Sequence, residues 1–348
     1  MRQLAFGGLW LSLAFTLVGC ITEDIPSDTR RGNFESCWKT LDEHYCFFEE
    51  KQKSFGLDWN EVHARYTPMI NERMTSRQLF EVLGKMVNEL RDGHVNLSAA
   101  HNVNRYGAWY DNFPMNFSDS LLHKYLGRAD EYYVGSSLAY RVLDDNIGYV
   151  RCSTFDYAFG NGNLSEMLKT LGPCSGLIID VRSNGGGMLT SAEQLALELV
   201  LVSVSLFFNE PMVRAFIQHK TGKGHKDFSA MRPITIRPFA GLRWQKKVCI
   251  LTNRRTFSAA NSFVAFLKGL PNVTVVGDQT GGGAGLPFNA ELPNGWHLRF
   301  SACPMYDAEG LSTEGGIHPD VKVDISSADY ARSYDTIIER ARALLREQ

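Results

Sequence analysis

Three short apolar runs constrain this chain more than any other feature: GLIIDV (Gly176–Val181), KVCIL (Lys247–Leu251) and NVTVVG (Asn272–Gly277). Each has strand length, is rich in branched side chains, and stops at a polar or glycine-bearing turn, so each reads as a buried strand. Helical periods alternate with them, at Leu164–Leu171, Thr190–Val200 and the run that opens at Ser258. That alternation begins at Asn146 and builds a β/α sheet.

The chain has 348 residues, enough for one large domain or two modest ones with a sizeable core. Its 44% hydrophobic and 21% charged residues exclude wholesale disorder. Lys+Arg 36 against Asp+Glu 38 gives a net charge of -2, and no basic stripe with interleaved aromatics points to nucleic acid. Residues 1–20 read as a secretory leader: Arg2, an apolar run from Leu4 to Val18, then Leu17-Val18-Gly19-Cys20. The six further cysteines show no CxxC and no ligand spacing with histidine, so no metal is called for, and several sit in apolar strands as buried thiols.

Residues 21–31 read as a tether, and 32–100 as a helical domain. Its helices are Phe34–Glu50, Asp58 to about Met69, and a run opened by the capping box Thr75-x-x-Gln78. It ends in the turn Arg91-Asp92-Gly93 and the alternating His94-Val95-Asn96-Leu97. Residues 101–145 form a connecting region with short strands expected near Phe113–Phe117 and Tyr132–Leu138, and 146–348 form the core. A hairpin turning at Asn294-Gly295, the strand VKVDI and a helix from about Ala328 to Arg346 close the chain.

Four stretches that could carry chemistry lie where strands stop. In ILTNRRTFSAANSFVAFLK (Ile250–Lys268), Ser258 opens a helix beside free N–H groups and the positive dipole end, a position that suits a nucleophile attacking a carbonyl. Serine is also a common N-cap, so this stretch alone fits either role. GLIIDVRSNGGG delivers Asp180, Arg182 and three glycines whose N–H groups can converge on an anion. It lacks the lysine of a P-loop and the GxGxxG spacing of a dinucleotide site. Thr280–Gly283 is a second glycine loop, and Glu314-Gly315-Gly316-Ile317-His318-Pro319-Asp320 is the fourth stretch.

Taken in order, DxRxNGGG, TNxxxxSAA, GxxTGG and GIxPD resemble the tail-specific (C-terminal processing) and tricorn-core serine protease family over roughly Asn146 to Val323. The resemblance implies a ClpP/crotonase-like β/α core preceded by a helical domain. It also implies a serine endopeptidase that needs no cofactor, with Ser258 as nucleophile. The glycine loop (Gly185, Gly186, Gly187) and Ala259 would supply the oxyanion donors. The processing branch uses a lysine base, but no lysine lies between Lys268 and Lys322, and Lys268 is some 15 Å along the helix from Ser258. The tricorn-like branch takes a histidine from the helical domain, which implies His94 in RDGH, with His318 as runner-up. The orienting acid of that branch falls near Glu314, with Asp92 as alternative. Here Thr313 occupies the usual glutamate position, Asn261 replaces a frequent glutamate, and Gly93 stands where the tricorn protease has serine. About fifty residues between His94 and Asn146 leave no comfortable room for a full PDZ domain of the kind that reads C-terminal tails. Leu17–Cys20 resembles a bacterial lipobox, implying export across the inner membrane and a lipid anchor at Cys20 in the outer membrane, periplasmic or surface-facing. The expected partners are a peptide or protein substrate and, through the anchor, the membrane. A silent peptide- or apolar-ligand-binding module on the same fold is the alternative, and a non-peptide acyl hydrolase a third reading.

Overall fold

The computed structural model describes residues 27–200, 211–236 and 244–347. The leader, Cys20 and most of the tether lie outside these residues. In chain order the elements are α1 (Arg30–His44), α2 (Phe48–Phe55), α3 (Trp59–Tyr66), α4 (Ser76–Asn88), β1 (Asn96–Ala99), β2 (Asn102–Arg105), α5 (Ala108–Asp111) and α6 (Asp119–Leu126). Next come β3 (Tyr133–Gly135), β4 (Leu138–Val142), β5 (Ile147–Cys152), α7 (Asn161–Leu171), β6 (Gly176–Asp180), α8 (Leu189–Val200), β7 (Met212–Ile217) and β8 (Arg232–Ile236). Then follow β9 (Val248–Thr252), α9 (Ala259–Leu267), β10 (Val273–Gly277), β11 (Gly285–Glu291), β12 (His297–Asp307), β13 (Val321–Lys322), α10 (Ser327–Ala331) and α11 (Thr336–Arg346).

A seven-stranded sheet runs β13-β10-β9-β6-β5-β4-β3, parallel from β13 to β5 and antiparallel beyond. Every residue of β6 and β9 is buried, as their unbroken apolar runs require. Phe263, Val264 and Leu267 of α9 pack one face together with α7 and α8. Ile337, Ile338, Ala341 and Leu345 of α11 pack the other. The end of β6 is clamped there: Arg182 is wholly buried, bonds both Asp180 oxygens (3.0 and 2.6 Å), and reaches Asp335 at 2.8 Å. Asp335 in turn caps α11 by accepting from the N–H groups of Ile337 and Ile338. Asp180 and Arg182 thus hold the strand end in place instead of facing a ligand.

A second, antiparallel sheet runs β2-β1-β12-β7-β8, with β11 also paired to β12. The N-terminal helices cover it: Phe34 and Leu41 of α1 and Leu79, Leu83 and Met86 of α4 share a core with Leu97, Leu298 and Phe300. Each such side chain contributes about 1.5–3 kcal/mol on burial. β1 therefore ties the helical region to the core sheet, so the two share one packed interior.

Several expected elements differ. α1 starts at Arg30, inside the expected tether, because the Thr29 hydroxyl caps it by accepting from the Gly32 N–H. The single helix expected over Phe34–Glu50 breaks at Tyr45, which is extended and buried, and α2 starts afresh at Phe48. No strand forms at Phe113–Phe117, where Asn116 is left-handed and its side-chain oxygen accepts from the Ile325 N–H. The closing helix splits at left-handed Ser333 before the Asp335 cap. All six described cysteines are free buried thiols.

Candidate active site

β9 ends at Thr252 and the chain turns through Asn253–Phe257 into α9. Ser258 holds the N-cap position at φ 57°, ψ -125°, a strained conformation for a residue with a Cβ. Three backbone bonds fix it: Phe257 N–H donates to Asn184 O (3.0 Å), Ser258 N–H to Gly282 O (2.9 Å), and Gly281 N–H to Thr256 O (2.8 Å). Both glycine loops therefore brace the serine. Its side chain makes no cap bond; instead Ser258 Oγ lies 2.9 Å from His94 Nε2. The two readings left open by the sequence separate here, because the hydroxyl is turned to an imidazole and away from the helix.

His94 sits in the turn between α4 and β1. Asp92 shapes that turn, accepting from the His94 N–H at 2.7 Å through one oxygen and from the Ser301 hydroxyl at 2.8 Å through the other. The ring is buried and lies tilted against Phe257 (centroids 4.8 Å, interplanar 56°), which in turn stacks on Trp109 (centroids 4.8 Å, interplanar 24°). Trp109 also explains the bare Gly93, since a Cβ there would come within 2.1 Å of the indole. Burial pushes the imidazole down to about 4; Asp92 pulls upward, Arg299 pushes further down, and the nearby Gly285 carbonyl favours the protonated ring. A ring held neutral at ordinary pH can accept a proton through Nε2.

Glu314, expected to orient the ring, does not bond it. One oxygen accepts from Lys51 Nζ (3.0 Å) and the other from the Ala284 N–H (2.9 Å). No residue among those described meets His94 Nδ1 with hydrogen-bond geometry, the Gly285 carbonyl approaching only loosely. Lys51 also reaches the Arg91 carbonyl at 3.4 Å. Burial, reinforced by Asp92 and opposed by Lys51, pushes the Glu314 carboxyl up to about 8. Lys51 itself is raised, its desolvation being outweighed by Glu314 and Asp92.

The glycine loop also differs from expectation. Gly186 N–H already donates to Asn184 Oδ1 at 2.9 Å, so that donor is committed. Phe155 bridges to Gly187 by donating to Gly186 O and accepting from Met188 N–H, which by strand alternation turns the Gly187 N–H the other way. Neither Gly187 nor Ala259 has a backbone partner for its N–H among the described residues. Gly186 lies so near the serine that a Cβ on it would stand 2.7 Å from Ser258 Cβ. Lys268 Nζ bonds His318 O and Asp320 Oδ1, and His318 is exposed, so neither joins the site. Asn261 is buried on Thr280 and Thr313, linking α9 to both downstream loops.

Ser258, His94 and Gly185–Gly187 open onto a cleft of about 710 Å³. Its walls include Trp109 and Tyr110 from the connecting region, and Arg105 and Arg299 from the second sheet. None of these was legible in the sequence as a site residue, nor were Lys51 and Asn184; only Asn184, inside SNGGG, lies within one of the four stretches singled out above.

The family model for peptidase family S41 matches residues 146–323, and that for the tricorn protease C1 domain matches residues 26–88. A candidate peptidase from Parabacteroides merdae ATCC 43184 is 42% identical, with TM-score 0.84, covering 92% of this chain and 98% of that one. Mature CPAF complexed with lactacystin (11% identity, TM-score 0.66, 91% and 98% covered) shares the fold. So does the tricorn protease (15%, TM-score 0.53, 91% and 36%). A protein of Chlamydia muridarum is 27% identical over 117 residues, and this chain spans 19% of that relative's length. With its core matched across the sheet, the serine turn and both glycine loops, the chain belongs to peptidase family S41 and is a serine-type peptidase.

Proposed function

We propose that this chain is an envelope-anchored endopeptidase that cleaves peptide bonds through an acyl-enzyme on Ser258. Ser258 Oγ bonds to the scissile carbonyl carbon as its proton passes to His94 Nε2. The N–H groups of Gly187 and Ala259 receive the oxyanion, supported by their lack of other partners. His94 then hands the proton to the departing amine as the C–N bond breaks. Water, deprotonated by the same ring, releases the carboxylate product and restores the serine. Glu314 serves as a positioning residue, holding the Ala284 N–H one residue before the Gly285 carbonyl that approaches the ring, and not the ring itself. The Leu17–Cys20 lipobox supports a lipid anchor on the outer membrane, periplasmic or surface-facing.

The observation that carries this reading is the 2.9 Å Oγ–Nε2 separation at a serine whose hydroxyl caps nothing. Hydrolysis of quenched fluorescent peptides by the full chain tests it. Ser258→Ala and His94→Ala should each lose roughly 10³-fold or more in kcat/KM. Turnover that survives Ser258→Ala would overturn it.

A further inference from the structure

The floor of the cleft is one face of the second sheet. In its register Asn96 of β1 pairs with Arg105 of β2 on one side and with Arg299 of β12 on the other, while Asn289 of β11 pairs with Arg299. Directly paired residues project from the same face. A polar row, Arg105–Asn96–Arg299–Asn289, therefore crosses four strands, and all four residues line the cleft with Ser258 and His94. Two strand spacings set the arginine backbones roughly 10 Å apart.

Both arginines are exposed, and neither guanidinium forms a salt bridge or hydrogen bond among the described residues. Arg299 feels Arg105 as a like charge and Asp92 as an opposite one. Asp92 has already spent both oxygens, on the His94 N–H and the Ser301 hydroxyl. The carboxylate that lines the cleft, Asp156, accepts from Thr154 Oγ1. Arg255, the third arginine there, lies over the Tyr110 ring and faces Asp111 at 4.0 Å. Like charges held on one sheet face repel, so Arg105 and Arg299 present two guanidinium groups without an ion-pair partner in the cleft that holds the nucleophile. A guanidinium matches a carboxylate with two parallel N–H donors and stays charged at every working pH.

We propose that Arg105 and Arg299 form a carboxylate-binding subsite that selects peptides carrying an acidic side chain or a free C-terminal carboxylate close to the bond at Ser258. The location of the scissile bond rests on the peptidase reading; the binding of the carboxylate does not.

The test uses the full chain with Ser258→Ala, so that binding is measured without turnover. Three fluorescein-labelled peptides of one length are compared by anisotropy: Gln with an amidated end, Glu with an amidated end, and Gln with a free C-terminus. One of the two carboxylate peptides should bind about tenfold more tightly than the neutral one, or ~1.4 kcal/mol, with the advantage shrinking in high salt. Adding Arg105→Gln and Arg299→Gln should bring it down to the neutral peptide's affinity. Preference for the Glu peptide assigns the side chain as source, and preference for the free acid assigns the C-terminus. Equal binding of all three, absence of binding, or a preference that survives the double substitution overturns the subsite. Ser258-dependent cleavage without any carboxylate preference would remove the subsite and keep the peptidase reading. Carboxylate-selective binding with no peptide cut by the wild type would do the reverse.

Discussion

Lys51→Met isolates the buried charge cluster behind the site. Methionine keeps the length and volume of the side chain and removes the ammonium that sits 3.0 Å from Glu314. In the wild type the Glu314 carboxyl is raised from 4.5 to about 8, chiefly by burial. The folded state therefore holds a proton that the unfolded state has lost, and stability falls as pH climbs through that window. At 1.36 kcal/mol per unit this comes to about 5 kcal/mol. Without Lys51 the folded carboxyl rises further still, since its chief opponent has gone. From pH 5 to 7.5 Glu314 is protonated in both proteins, and the variant is offset by about 1–2 kcal/mol for the lost hydrogen bond. Above pH 8 the wild type stops losing stability on this account, while the variant goes on losing about 1.4 kcal/mol per unit. Urea unfolding at pH 6, 7.5 and 9 reads this directly, the gap widening only at the last. A constant gap at all three values, or one that narrows at pH 9, would rule out this coupling between Lys51 and Glu314.

Three further outcomes follow from the site. Gly186→Ala places a Cβ 2.7 Å from Ser258 Cβ and 2.8 Å from Phe257 O at φ 102°; it should cost about 1–3 kcal/mol of stability and displace the nucleophile, read as loss of peptide turnover. Ser258→Gly relieves a φ of 57° and should raise the unfolding free energy by about 1 kcal/mol while abolishing turnover. With the imidazole held down to about 4, the ring stays neutral until the pH drops that far. The acid limb of kcat/KM should therefore fall near pH 4, well below the 6–7 of an unperturbed histidine.

What could be read beforehand was what local pattern records. Apolar runs announced β6, β9 and β10 because burial on both faces leaves no alternation. The serine turn and the RDGH turn were legible because each motif is contiguous. Lys51 was invisible because its partner lies 263 positions away in the chain, and nothing about a lysine on a short helix announces a buried carboxylate. The same holds for Arg105 and Arg299, which the pairing of β1 brings to one row. Glu314 was located but not its partners, since a motif gives a residue's place and not where its oxygens point. Gly186 was expected to supply an oxyanion donor, yet its N–H goes to Asn184 Oδ1, a bond set by the curl of the loop. The breaks at Tyr45 and Ser333 escaped because apolar spacing continues across them while the backbone does not.

The proposed mechanism stands or falls on Ser258 being a nucleophile activated by His94. A fluorophosphonate reacted with the full chain, followed by mass-spectrometric mapping of the adduct, tests it without knowledge of the substrate. One phosphonyl group on Ser258 is expected, with labelling slowed roughly 10³-fold or more in His94→Ala. An unlabelled wild type, an adduct on another residue, or a His94→Ala rate equal to the wild type would contradict it.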